Sequence, residues 1–177
     1  GGGRIRREPP LADYRQNNID SALERINALI QQEPNNAYFH ELKGQMLVDF
    51  NRIDQGIDAY QKALKLKPDS ALIRIPLANA LIQTAEEDSA TLNTAIDHLR
   101  RAVQQEPRST RAHRLLATAY GRSGQSALAQ LHLAEEALLQ RKKEIAKQKA
   151  TQALNELPEG SAGAIRARDI LKILEQD

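Results

Sequence analysis

Residues 37–70 read AYFHELKGQMLVDFNRIDQGIDAYQKALKLKPDS, and their pattern decides the fold. Apolar or small residues recur at Tyr38, Phe39, Leu42, Met46 and Leu47, which is the spacing of one helix face. They recur again at Ile57, Tyr60, Ala63 and Leu64. Pro68 ends the second segment, because proline lacks a backbone N–H and its ring meets the preceding turn. The stretch is therefore two amphipathic helices. A lone helix pair cannot bury both its faces, so further copies are its expected neighbours.

The helix-ending prolines supply the test. Pro34, Pro68, Pro107 and Pro158 are separated by 34, 39 and 51 residues. The first gap is one unit and the second is one unit plus five residues. The third is one and a half units, which predicts a helix serving two units. Small and apolar residues hold the same frame. Ala22, Ile26 and Leu29 precede Pro34 at the offsets of Gly56, Tyr60 and Ala63 before Pro68. Ala95, Leu99 and Ala102 do so before Pro107, and Ala146, Ala150 and Ala153 before Pro158. In the first helices, Gly44, Ala78, Ala117 and Ala134 take one equivalent place, where a small side chain lets paired helices approach. This is the tetratricopeptide (TPR) pattern. The usual tryptophan is replaced by His40, Arg74, His113 and Gln130, and Gly56 stands for the usual alanine. The expected fold is all-α, a TPR-like right-handed α-solenoid of helix pairs with a C-terminal capping helix.

Residues 1–18 read as a glycine remnant and a basic linker broken by Pro9-Pro10, with room for one short helix at 11–16. The repeat domain is expected over 19–160: a half repeat at 19–36, then 37–70, 71–109 and 110–160. The shared helix falls at 127–140, and 161–177 hold the cap. Pro76 lies inside the helical pattern of 71–84, which places the helix start nearer Arg74 or a kink in the helix. Residues 85–90, AEEDSA, hold the five extra residues and read as a solvated loop. Ser70, Ser109 and Ser161 stand where helices begin, as N-caps. Gly121 and Gly124 mark the turn after the third first helix.

Composition narrows the function. The 177 residues are 41% hydrophobic but only 3% aromatic, so the core is Ala/Leu/Ile packing. A net charge of +2 is too small to argue for nucleic acid. There is no cysteine, hence no disulfide and no thiolate metal site. No apolar run approaches the length of a membrane span. The chain opens on Gly-Gly-Gly without methionine, so it is expected to be a piece of something longer. No two of His40, His98, His113 and His132 lie three or four residues apart. His40-Glu41 opens like a His-Glu-x-x-His zinc motif, but Gly44 stands where the second ligand belongs. No catalytic residue, metal or cofactor is expected in this chain.

A TPR array offers instead a concave surface lined by its first helices. The groove-facing positions of the successive first helices include Tyr38, Glu41 and Gln45, then Leu72, Ile75, Asn79 and Ile82, then Arg111, Arg114, Thr118 and Arg122. In the shared helix they are Leu128, Leu131, Glu135, Leu138 and Leu139. The three arginines either form a donor set suited to carboxylates or are ordinary solvated surface. Gln45 and Asn79 suit an extended backbone. Leu72, Ile75 and Ile82 are apolar for a solvated groove, so either a partner or the chain's own terminal helix covers them.

Several stretches resemble something narrower than the general repeat. Tyr38-Phe39-His40-Glu41-Leu42-Lys43-Gly44-Gln45, Leu72-Ile73-Arg74, residues 117–124 (ATAYGRSG), and Leu157-Pro158-Glu159-Gly160-Ser161 with Arg166-Ala167-Arg168-Asp169-Ile170 are similar to the C-terminal TPR region of BepA-like bacterial periplasmic zinc metallopeptidases. The resemblance covers roughly residues 11–175. It implies a periplasmic parent with an upstream zinc peptidase domain, acting in quality control of outer-membrane proteins. The zinc is expected only in that upstream domain. The TPR region would bind protein or peptide partners: substrates, outer-membrane assembly proteins and the peptidase domain itself. The alternative reading is a stand-alone scaffold or co-chaperone that binds peptide termini through Arg111, Arg114 and Arg122.

Overall fold

The computed structural model describes residues 11–176. Among them are nine α-helices and no strand. By contacts the chain divides into two compact units, Gly1–Lys67 and Pro68–Asp177.

The first unit holds α1 (Leu11–Gln32), α2 (Ala37–Asp49) and α3 (Ile53–Leu66), with α2 packed on both α1 and α3. The glycine remnant and the part of the basic linker up to Pro10 lie outside the described residues. Beyond Pro10 the expected linker is corrected: one continuous helix runs from Leu11 into the half repeat. Ile19 and Ile26 are buried from it, one per two turns. The α2–α3 pair is unusually close. A Cβ on Gly56 would stand 2.6 Å from Val48 Cγ2, and one on Gly44 would stand 3.0 Å from the Tyr60 ring. Glycine replaces alanine at 56 because the β-branched Val48 already occupies that space.

The second unit holds α4 (Ala71–Ala85), α5 (Ser89–Gln105), α6 (Thr110–Arg122), α7 (Ser126–Leu139), α8 (Lys143–Glu156) and α9 (Ala162–Glu175). The five extra residues do not form the loop expected at 85–90. Instead α4 is two residues longer than α2, and α5 is three longer than α3. The connection is only Glu86–Asp88, and Glu86 takes φ 49°. Helix α4 starts at Ala71, not nearer Arg74, with Pro76 inside it. Proline gives the Leu72 carbonyl no N–H partner. Leu72 itself is 74% exposed.

The small and apolar positions found in the sequence, joined by Leu116, form the seams of the unit. Ala78, Ala95, Leu99, Ala102, Leu116, Ala134, Ala146, Ala150 and Ala153 are all fully buried. Each leucine so buried stabilises by roughly 1.5–3 kcal/mol relative to exposure. Helix α7 packs on α6, on α8 and on α9, so it is a member of two pairs. Helix α9 closes the last pair with Ala167, Ile170 and Leu174, while Ile165 on its outer side is 54% exposed. Ser109 and Ser161 cap α6 and α9 through the N–H groups of Ala112 and Ala164. Ser70 occupies the N-cap of α4 but makes no side-chain cap bond. Gly121 is helical, and Gly124, at φ 81°, makes the turn.

Candidate docking surface

The first helices are fixed to the turns that precede them by one recurring bond. His40 Nε2 donates to the Pro34 carbonyl at 2.9 Å, Arg74 Nη2 to that of Pro68 at 2.7 Å, and His113 Nε2 to that of Pro107 at 3.0 Å. In every case the donor sits six residues after the proline. These are three of the places where a TPR usually carries tryptophan. A carbonyl only accepts, so both imidazoles carry a proton on Nε2.

In the second unit the link continues into the paired helix. Arg74 Nη1 donates to His98 Nδ1 at 2.7 Å, and the Nδ1 atoms of His113 and His132 stand 3.1 Å apart. With the His113 proton on Nε2, His132 Nδ1–H donates and its Nε2 keeps a lone pair. His98 and His132 each precede an equivalent leucine, Leu99 and Leu133. Burial lowers the His98 pKa, and the Arg74 and Arg101 charges lower it further. Burial, then His113, pushes His132 down to about 4. The His132 ring is stacked between His113 and Tyr120, at centroid distances of 5.3 and 5.6 Å.

On this scaffold the expected groove residues part company. In the first unit Tyr38 is 62% exposed and Gln45 is exposed. Glu41 is half-buried, and burial raises its pKa against the opposing pull of Lys67. In the second unit Leu72, Arg111, Arg114 and Thr118 are exposed and Asn79 is half-buried. Ile75 and Ile82 are not open groove: they are 8% and 5% exposed. Helix α9 does not cover them, since it packs on α7 and α8. The arginine donor set is also corrected. Arg122 is spent inside the unit, donating to the carbonyls of Ile82, at 2.8 Å, and Glu86. Arg114 pairs with Glu136 at 3.5 Å, and Thr118 donates its hydroxyl back to the Arg114 carbonyl. Arg111 is the one of the three with neither an ion pair nor a side-chain hydrogen bond among the described residues. Along α7, Leu131 and Glu135 are buried, and Arg166 of α9 grips the Glu135 carboxylate through Nε and Nη2.

A second concavity went unseen in the sequence. It is a cleft of about 490 Å³ bounded by α5, the end of α6, α7 and α9. The 51-residue proline gap was its signal, because a helix shared by two pairs sets α5 and α9 on either side of it.

Among the described residues, no group of three or more His, Asp or Glu side chains could hold a metal ion, and no helix is long and apolar enough to cross a membrane.

Solved structures resemble the fold. A crystal structure of MamA is 18% identical over 96% of this chain and 95% of that one, with a TM-score of 0.65. A MamA fragment from Desulfovibrio magneticus RS-1 is 16% identical over 92% and 87%, with a TM-score of 0.66. A thermophilic TPR protein of Thermus thermophilus is 17% identical over 92% and 95%, with a TM-score of 0.51. At such identities the likeness is one of fold. No curated protein matches the chain in sequence. The family model described as the cytochrome c-type biogenesis protein H TPR domain matches residues 25–136, well over half of the chain. The chain belongs to that family of TPR domains.

Proposed function

We propose that this chain is a non-catalytic protein-docking module that forms the C-terminal part of a periplasmic zinc metallopeptidase acting in outer-membrane protein quality control. The docking reading rests on the TPR family and fold, whose members bind proteins or peptides and are generally non-catalytic. The peptidase context rests on the sequence resemblance alone, most of all on Leu157–Ser161 followed by Arg166–Ile170. In that context the exposed first-helix residues Leu72 and Arg111 offer one apolar and one cationic contact to a partner. The zinc would be held by the parent's peptidase domain. The partners would be that domain, its substrates and outer-membrane assembly proteins.

The test is the size of the native protein, by immunoblot of source-cell fractions with an antibody to this chain. A periplasmic band at least about twice the chain's 19.7 kDa is the expected result. A band near 19.7 kDa in the cytosol would remove the peptidase and leave a stand-alone scaffold. That second reading has one observation in its favour, the exposure of Arg111 and Arg114 on α6. It predicts that Arg111→Ala weakens binding of a free peptide carboxylate.

A further inference from the structure

We infer that the cleft between α5, α7 and α9 is a second docking site, which takes an extended, uncharged segment of a partner polypeptide and not a chain terminus. The inference rests on the protein-docking reading above.

Three observations carry it. The first is that the cleft is a consequence of the fold. Because α7 belongs to two helix pairs, α5 and α9 rise on either side of it, and Tyr120 and His132 lie in the space between. Its volume of about 490 Å³ falls in the range of built ligand sites.

The second is the mixture of groups along the walls. Asn93 and Gln125 line it with amides, each both donor and acceptor. Arg100 is exposed there and makes no ion pair among the described residues. His132 lines the cleft as well, and with its proton on Nδ1 its Nε2 is an acceptor. A peptide backbone offers a donor and an acceptor at every residue, which this alternation can satisfy. Beside these groups, Leu128 and Leu131 give an apolar floor for one side chain.

The third is charge. Asp97 and Arg100 stand on one wall, and on the other Arg166 is already held by Glu135. The formal charges cancel, so the site has no surplus with which to prefer a carboxylate or an ammonium terminus. A neutral mid-chain segment suits it better than an acidic tail.

The test is a two-dimensional 1H–15N NMR titration of the whole chain with acetyl-Thr-Leu-Thr-Leu-Thr-amide, whose ends carry no charge. Saturable shifts are expected at Asn93, Arg100 and Gln125 by about 1 mM peptide, the weak end of specific binding. The same peptide with free ends should bind no more than about twofold tighter. Ala162→Trp is the blocking variant, since Ala162 is exposed, lines the cleft and stands at the first position of α9. It should abolish those shifts while leaving the rest of the spectrum in place. Shifts confined to α6, around Arg111 and Arg114, would overturn this site and keep the docking reading. A strong preference for free ends would overturn the occupant. No shift with either peptide would overturn the site, while the docking reading would stand or fall on capture of the parent's own partners.

Discussion

The imidazole of His113 on α6 accepts from His132 on α7 and donates to the Pro107 carbonyl in the turn before α6, at 3.1 and 3.0 Å. Arg74 makes the same two contacts one unit earlier, with His98 and Pro68. A polar link therefore does in this chain what a packed tryptophan does in most units of its kind. In α7 the equivalent Gln130 leaves its Oε1 buried with no hydrogen-bond partner among the described residues, and the link ends there.

His113→Ala removes the donor to Pro107 and the acceptor for His132 together. Leaving partners unsatisfied in a buried setting costs about 1–3 kcal/mol. Urea unfolding should therefore show a lower midpoint with an unchanged slope. An unchanged midpoint would mean the link contributes nothing.

Burial of His132, and after it the neighbouring His113, makes the fold acid-sensitive. His132 has a folded pKa of about 4 against an ordinary 6.5, so between those values the unfolded chain binds more protons than the folded one. Its contribution is complete above about pH 6.5 and is lost as pH falls towards 4. At about 1.4 kcal/mol per pH unit, this amounts to about 3 kcal/mol. His98 is lowered in the same direction and adds to the slope. Glu135 opposes the shift at His132, and Arg100 supports it. Urea midpoints should hold from pH 7.5 to about 6.5 and then fall towards pH 4.5, and His132→Gln should flatten the fall. Parallel curves for the two proteins would refute the assignment.

Gly56→Ala places a methyl 2.6 Å from Val48 Cγ2. Overpacking of that kind costs about 1–3 kcal/mol. The shortest contact is to the Val48 side chain, with the Gly44 carbonyl oxygen next at 3.1 Å, so Val48→Ala in the same chain should recover part of the loss, giving a non-additive double-mutant cycle. Additive effects would show that the pair does not meet.

Glu86 holds φ 49° and ψ −110°, a region that non-glycine residues avoid. Arg122 keeps it there by donating to its carbonyl. Residues so held store about 1–3 kcal/mol. Glu86→Gly should raise the melting temperature, and Arg122→Ala should lower it. A Glu86→Gly variant less stable than the parent chain would argue against strain at this turn.

Much of the architecture was legible because small residues at a fixed distance from a proline mark where helices touch. Ala95, Ala102, Ala146, Ala150 and Ala153 stand at such distances, and all are fully buried in the seams. The doubled role of α7 was legible in the proline spacing. The groove was legible only in part, and the reason is geometric. Within the second unit the first helices of successive repeats touch each other, α4 on α6, so apolar residues such as Ile75 and Ile82 lie inside rather than along an open groove. A surface arginine likewise reads the same whether it awaits a ligand, as Arg111 does in the proposal, or caps a nearby helix, as Arg122 does. The insertion was misread because AEEDSA is turn-rich in composition, while Ala85, Ser89 and Ala90 each extend a helix that neighbours already stabilise. The absorption of residues 11–18 into α1 has no strong periodic signal in the sequence.

The most direct test of docking through the first-helix face is site-specific photo-crosslinking in source cells, with the probe placed at Leu72, Arg111 or Ile145. All three positions are exposed, but Ile145 lies on α8, outside the first-helix face. Defined cross-links from Leu72 and Arg111 to a second polypeptide or to another part of the parent chain, with none from Ile145, are the predicted result. Equal labelling at all three positions, or none at Leu72 and Arg111, would contradict it.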